Sequence, residues 1–167
     1  MGHADQMRLT EHHLVPRFHH TGTQNNVIQI PALIHQSWHR VFGVRSPEQV
    51  VVHLVQNWLP ADQVGTIVVH RGSEEVCRVR PCEAQSRKSV DEERAFALIF
   101  PSNRPHEILK WWAWHWIPTD YFSLIDATIV GRTYLITPDQ PDQKTLDRLV
   151  ATERRLLEIC TSRPRRR

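Results

Sequence analysis

One segment near the N-terminus limits what this chain can be, because its histidines stand at spacings typical of a metal site. The adjacent His12 and His13 are followed by Asn26, and then by His35 and His39. Residues four apart share one face of a helix, so a helix here would place the last two imidazoles one turn apart. Side chains arranged in this way can bind one cation, and the sequence therefore predicts a metal site before anything else.

Local signals around these residues predict the order strand, loop, strand, helix. Residues 9–15 and 26–30 are short, apolar-flanked runs typical of strands, and the polar, turn-forming residues 16–25 separate them. Pro31 is favoured at the first position of a helix, and an apolar stripe at helical spacing follows over residues 32–42. The histidine pair is therefore expected on the first strand, and the two later histidines on the helix.

A second helix has a strong start signal. Ser46 is a favoured N-cap, Pro47 suits the first helical position, and Gln49, three residues after the serine, completes a capping box. Residues 64–70 are typical of a strand. Residues 71–92 are polar and charged, and we expect them to form a connection without regular structure.

The chain also resembles itself at an offset of 58 residues, which places residues 38–42 over residues 96–100. The same offset matches four further pairs of identical residues, namely Pro47 with Pro105, Trp58 with Trp116, Pro60 with Pro118 and Asp62 with Asp120. An internal duplication explains these coincidences, and a chance likeness between two amphipathic helix pairs is the alternative. The two helical histidines would fall on Glu93 and Ala97, so a second copy would lack the metal ligands.

A tryptophan-rich segment, residues 106–118, is apolar on nearly every side of a helix. Such a helix is typical of burial between layers or at a partner surface. Its tryptophans could instead stack on nucleobases. We favour core packing, because apolar stripes at helical spacing usually belong to a core.

Composition limits the class of protein without choosing a function. The 167 residues suffice for one domain or two small units, and a formal charge of +3 with a pI near 9.0 is compatible with nucleic acid without requiring it. The sequence has neither a secretory signal pattern nor a run long enough for a membrane span, so we expect a cytoplasmic protein without a membrane partner. Cys77, Cys82 and Cys160 are expected to be reduced thiols rather than a disulfide framework or half of a zinc site.

The histidine motif resembles that of HNH endonucleases, also called ββα-metal or His-Me finger nucleases. It is carried by the stretches EHHLVPR, NNVIQI and HQSWHRVFG, and its spacing is most similar to the colicin-type branch with a three-histidine metal site. The resemblance covers roughly residues 9–58. It implies an α+β fold with a strand, loop, strand and helix as the metal finger, extended by helices and by a degenerate second copy of the helical unit.

The resemblance also implies a role for each residue of the motif. His13 would be the general base that takes a proton from the attacking water, and Asn26 would act behind it by fixing the loop or the orientation of that base. His12, His35 and His39 would bind one divalent metal ion. Adjacent residues of a regular strand point to opposite faces, so the histidine pair can share one site only where the strand is distorted or ends.

Two arginines and the identity of the metal complete the predicted site. Arg17 and Arg40 lie close in sequence to the histidines and are candidates for phosphate contacts. The divalent ion could be Mg, Mn, Ni, Co or Zn, although three imidazoles suit Zn, Ni or Co better than Mg.

These features predict a metal-dependent endonuclease that hydrolyses the phosphodiester bonds of DNA, with RNA as a second substrate class. An inhibitor or partner protein is compatible with this function. The alternative is a non-catalytic module that is braced by its metal and binds nucleic acid or protein. We expect residues 9–70 to form the metal unit with its following helix, residues 71–137 the tryptophan-rich repeat, and residues 138–167 a C-terminal helix and basic tail.

Overall fold

The computed structural model describes residues 8–16, 26–118 and 121–138, which form four helices and six strands. The helices are α1 (Ala32–Phe42), α2 (Pro47–Trp58), α3 (Val90–Ile99) and α4 (Pro105–His115). The strands are β1 (Leu9–His13), β2 (Val27–Pro31), β3 (Val64–Arg71), β4 (Glu74–Val79), β5 (Leu124–Ile129) and β6 (Arg132–Ile136). Arg17, the basic tail and the C-terminal helix predicted from residue 144 lie outside the described residues.

The strands form two antiparallel sheets, so the described part of the chain is a mixed α+β structure, as predicted. β1 and β2 form a two-stranded sheet, and the larger sheet has the order β4-β3-β5-β6. Pro31 ends β2 and Ala32 begins α1, so the second strand leads directly into the first helix. The predicted order of strand, strand and helix around the histidines is therefore present.

The small sheet and α1 are held together at both ends of the hairpin. At one end, the backbone N–H of Ala32 donates to the carbonyl of Arg8 at 2.8 Å. At the other end, the N–H of Leu14 donates to the carbonyl of Asn26 at 2.8 Å. Because these bonds satisfy backbone groups where the regular pairing stops, they hold β1 against the first turn of α1.

The capping box predicted for α2 is confirmed. The Ser46 hydroxyl accepts from the Gln49 N–H at 3.3 Å, and the Gln49 side-chain oxygen accepts from the Ser46 N–H at 2.9 Å. The same arrangement begins α3, where Ser89 and Glu92 exchange the equivalent bonds. Both helices therefore start with two otherwise unpaired N–H groups satisfied.

The prediction of an irregular connection over residues 71–92 is wrong in part, because β4 lies within it. β4 pairs with β3, with Ile67 opposite Val79 and Arg71 opposite Glu74. The turn between the strands is made by Gly72, whose φ of 61° lies in the left-handed region that glycine adopts without strain. The charged side chains of β4 hid the strand, since only one of its faces packs on the protein.

The order helix, helix, strand, strand occurs twice in succession, and the two sets are separated by about 58 residues. The central pairing of the large sheet has the same relation. Val68 lies opposite Asp126, whose number is 58 greater. The pairs Ile67 with Ala127 and Val69 with Ile125 exchange places under that shift. This part of the sheet therefore has an approximate two-fold arrangement about Val68.

Two aromatic stacks follow the same relation. Trp38 stacks on Trp116 with ring centroids 4.1 Å apart, and Trp58 stacks on Phe96, also at 4.1 Å. Each ring of one stack lies 58 positions from a ring of the other. Both stacks join a helix of the first set to one segment of the second, so the two sets share one core.

The tryptophan-rich segment contributes mainly to this core. Trp112 is fully buried and Trp116 is 4% exposed, which confirms core packing for these two rings. Cys77 on β4 is half-buried and free, and burial raises the pKa of its thiol to about 11. Among the described residues, the structure contains no helix whose length and apolar character would suit a membrane span.

The turn between β5 and β6 gives a test of the fold by stabilisation. Val130 has a φ of 50° and is the only residue other than glycine with a positive φ in the described ranges. Left-handed backbone costs a β-branched residue about 1 kcal/mol or more, and Asn-Gly is the favoured sequence for this kind of hairpin turn. Val130→Asn, which creates Asn before Gly131, is expected to raise the free energy of unfolding by about 1 kcal/mol in urea denaturation.

Val44→Asn is the matched control, because Val44 is also an exposed valine but does not have a positive φ. Its effect on the free energy of unfolding should stay within about 0.5 kcal/mol. Equal effects of the two substitutions would contradict the strained turn.

Candidate metal centre

Three imidazoles from two elements converge at the junction of the small sheet and α1. His12 comes from β1, and His35 and His39 come from successive turns of α1. One ring nitrogen from each of them lies within 4.8 Å of the others. The structure therefore brings together the three residues that the sequence predicted as metal ligands.

The hydrogen bonds of His35 fix which of its nitrogens carries the proton. Its Nδ1 lies 2.8 Å from the Thr10 hydroxyl, and that hydroxyl donates to the carbonyl of Ile30 at 3.2 Å. Because the hydroxyl already donates its one proton to the carbonyl, it accepts from the N–H at Nδ1. Burial, followed by the neighbouring His39, lowers the pKa of His35, so the ring is neutral and its Nε2 carries a lone pair.

His39 is oriented in the same way by the end of its helix. Its Nδ1 lies 3.0 Å from the carbonyl of Gly43, and a carbonyl can only accept, so Nδ1 carries the proton. The N–H of Gly43 in turn donates to the carbonyl of His39 at 2.9 Å. In a neutral His39 the lone pair therefore lies on Nε2, which faces the Nε2 of His35 at 3.0 Å.

Two facing lone pairs repel each other unless a proton or a cation lies between them. A shared proton would make one imidazole cationic beside the buried His12. A divalent ion resolves the conflict for all three rings, since each donates a lone pair to it, and His35 and His39 keep their N–H groups for protein acceptors. About 3.4 Å separates two nitrogens on a tetrahedral ion with bonds of about 2.1 Å, so the observed separations need only small side-chain shifts.

His12 provides an independent indication of a missing ligand. The residue is 2% exposed, and neither of its ring nitrogens has a hydrogen-bond partner among the described residues. Burial, together with the nearby histidines, lowers its pKa to about 3, so the ring is neutral. A buried polar group without a partner is costly, and a metal ion bound at one nitrogen would remove much of that cost.

Aromatic rings form the wall behind His12. The imidazole makes edge contacts with Trp38 and with Trp116, at centroid distances of 5.5 Å and 5.4 Å. Trp116 follows α4, so the tryptophan-rich segment lies directly behind one metal ligand. No local sequence signal indicated this contact, although the alignment of Trp58 with Trp116 had marked the residue.

His13, the predicted general base, lies at the end of β1 beside the three ligands. It lines a cleft of about 340 Å³ together with His12, His35, His39, Trp38, Arg45 and neighbouring residues. The strand ends at His13, so the residue is not held to the strict alternation of a longer strand. This agrees with the expectation that the pair can share one site only where the strand ends.

Asn26 is placed to fix the chain that leaves His13. Its side-chain oxygen accepts from the Val15 N–H at 2.6 Å, and its side-chain NH₂ donates to the Val15 carbonyl at 2.9 Å. Both ends of the amide are therefore used on one backbone position, two residues after His13. Asn26 is 7% exposed, and these contacts make it a positioning residue that closes the base of the loop.

The two arginines predicted to contact phosphate are not both at the site. Arg17 lies outside the described residues. Arg40 pairs with Asp91 on α3 at 3.3 Å and is not among the residues that line the cleft. Arg45, which the sequence did not single out, lines the cleft instead. Its only signal was its place shortly after the histidine helix.

Comparison with known proteins leaves the site to be interpreted from its own geometry. No protein-family model matches the sequence, and the searches of curated proteins and of solved structures find nothing significantly similar.

Metal titration tests the centre directly. We expect calorimetry with Zn²⁺, Ni²⁺ or Co²⁺ to give one ion per chain, and saturation at about 100 times the Kd to stabilise the fold by about 2.7 kcal/mol. His35→Ala and His39→Ala should each abolish high-affinity binding. Thr10→Ala keeps all three ligands but loses the acceptor that orients His35, so its affinity should fall about 10- to 100-fold.

His53→Ala is the control, because His53 lies on α2 and is not part of the three-histidine group. Unchanged affinity in His35→Ala and His39→Ala would show that the ion binds elsewhere.

Asn26→Ala tests the closure of the loop. The substitution leaves the N–H and the carbonyl of Val15 without their partners in a buried place, so we expect a loss of about 2 to 3 kcal/mol in the free energy of unfolding. Gln29→Ala on the exposed side of β2 is the control and should cost less than about 0.5 kcal/mol. Equal losses for the two variants would contradict the bridging role.

Proposed function

We propose that the protein is a metal-dependent endonuclease of the HNH type that hydrolyses phosphodiester bonds, with DNA as its first expected substrate. The observation that carries the proposal is the convergence of three imidazoles beside a fourth histidine in one open cleft. The three-ligand set leaves room for substrate or water on the same ion.

The proposed roles divide between binding and proton transfer. His12, His35 and His39 would hold one divalent ion, which when bound supplies Lewis-acid stabilisation of the charge on the phosphate and the leaving oxygen. His13 would take the proton from the attacking water, because imidazole titrates close to neutral pH without a large shift. Asn26 would hold the backbone behind His13, so that the base stays beside the ion.

The second set of elements would act as a brace in this proposal. Glu93 and Ala97 stand where a second copy would need its helical histidines. The segment nevertheless supplies Trp116 against His12 and Trp38. An internal duplication in which one copy kept the chemistry is supported by the repeated order of elements and by the symmetric pairing about Val68.

The alternative function, a metal-braced module without catalysis, differs in one respect. It needs the three ligands but has no use for a fourth imidazole in the cleft. The buried position of His12 suits either function, so the test must separate metal binding from turnover.

We expect the wild-type protein to nick supercoiled plasmid and to hydrolyse bis(4-nitrophenyl) phosphate with at least one of Mg²⁺, Mn²⁺, Ni²⁺, Co²⁺ and Zn²⁺. His13→Ala should lower the rate about 10²- to 10⁴-fold, the usual contribution of a general base, while the calorimetric metal affinity stays unchanged. Glu11→Gln is the matched variant, since Glu11 is the carboxylate that lines the same cleft.

Metal uptake without turnover for any of these ions would support the non-catalytic module. A rate that falls with Glu11→Gln but not with His13→Ala would assign the proton transfer to the carboxylate instead.

A further inference from the structure

A second concavity adjoins the metal cleft and shares Arg45 with it. Its volume is about 430 Å³, and it lies along α2. Besides Arg45, it is lined by Glu48, Gln49, Val52, His53, Gln56 and Asn57. The two concavities together form a continuous surface that runs from the metal ligands along the polar side of α2.

Arg45 is held at the junction of the two concavities. Its Nη1 donates to the carbonyl of Phe42 at 2.7 Å, at the end of α1. A guanidinium has five N–H groups in a planar fork, so this bond leaves donors for a phosphate. The bond also limits the conformations of the side chain, which lowers the entropy lost when it binds a ligand.

The charges around the second concavity favour a polyanion. Glu48 is the one carboxylate among the described residues that line it, and it accepts from the Tyr121 hydroxyl at 2.8 Å and pairs with Arg71 at 3.4 Å. These contacts offset its charge. Lys88 lies 5.1 Å from the ring centroid of Trp58, the last residue of α2, and so adds a positive charge near the far end.

His53 supports this description of the local charge. Burial first, and then the positive charges of Arg45 and Lys88, lower the pKa of His53. Its Nδ1 accepts from the Asn57 side chain at 3.2 Å. The ring is therefore a neutral part of the wall between two cations.

The spacing along α2 suits a nucleic-acid backbone. Gln49, His53 and Gln56 lie on successive turns of one face. Seven residues of helix span about 10 Å, which equals about three nucleotides along one strand of a duplex. Amide side chains at these positions can donate to phosphate or sugar oxygens without reading the bases.

We propose that Arg45 and the polar face of α2 bind the phosphate backbone of the substrate strand next to the scissile bond, and that Arg45 takes the place that the sequence had suggested for Arg40. This inference rests on the proposed nuclease function for its ligand. It adds the path by which the strand leaves the metal centre and the side chain that contacts the flanking phosphate.

Binding is measured with metal-loaded protein in the His13→Ala background, using the fluorescence anisotropy of a labelled DNA duplex of about two helical turns. Arg45→Gln should weaken binding about 10-fold and lower the slope of log K against log salt by about 1. Gln56→Glu should weaken binding and Gln56→Lys should strengthen it, because both change the charge of the concavity that Gln56 lines. Arg132→Gln on β6 removes the same charge outside both concavities and should leave binding unchanged.

Melting temperatures identify any variant that fails to fold, and the opposite effects of the two Gln56 substitutions do not depend on the Arg45 variant. Equal binding by wild type, Arg45→Gln and both Gln56 variants would overturn the proposed path. Hydrolysis of bis(4-nitrophenyl) phosphate in that case would leave the nuclease proposal standing. DNA binding that depends on Arg45 without any hydrolysis would instead support the path and contradict the nuclease.

Discussion

The whole N-terminal arrangement depends on two imidazole nitrogens that face each other at 3.0 Å. Thr10 and the carbonyl of Gly43 take the N–H groups of His35 and His39, so the remaining lone pairs are directed at one point. The hairpin, its junction with α1 and the glycine that ends the helix all serve to hold this geometry. A cation at that point would turn a mutual repulsion into three bonds, and would couple the stability of the hairpin to its presence.

The surroundings of His12 explain why the second half of the chain is needed. Its buried imidazole has no hydrogen bond within the described part of the chain, and Trp38 and Trp116 enclose it. The stack of these two tryptophans has a counterpart in Trp58 and Phe96, which lies 58 positions away on each side. The same packing geometry therefore occurs twice, and the occurrence that contains Trp116 is the one that lies against metal ligands.

The histidine ligands, the hairpin and the first two helices could be predicted from the sequence because their signals are local. A spacing of four on a helix, a proline before it and a capping box at Ser46 each depend on a few neighbouring residues. β4 was missed because its alternation is masked by charged residues on the solvent side. The contacts of Arg40 with Asp91 and of Trp116 with His12 join residues more than fifty positions apart, and nothing local encodes such contacts. Arg45 was missed for the same reason, since its importance comes from lying between two concavities.

The position of Trp116 has a consequence for synthesis of the protein. The ligands are all made within the first 39 residues, but the ring that covers His12 emerges much later. A chain still attached to the ribosome therefore carries exposed, unassembled histidines until residue 116 has left the exit tunnel. Assembly of the centre is then timed by translation, and an enzyme able to cut nucleic acid would acquire that ability only when most of its chain has been made.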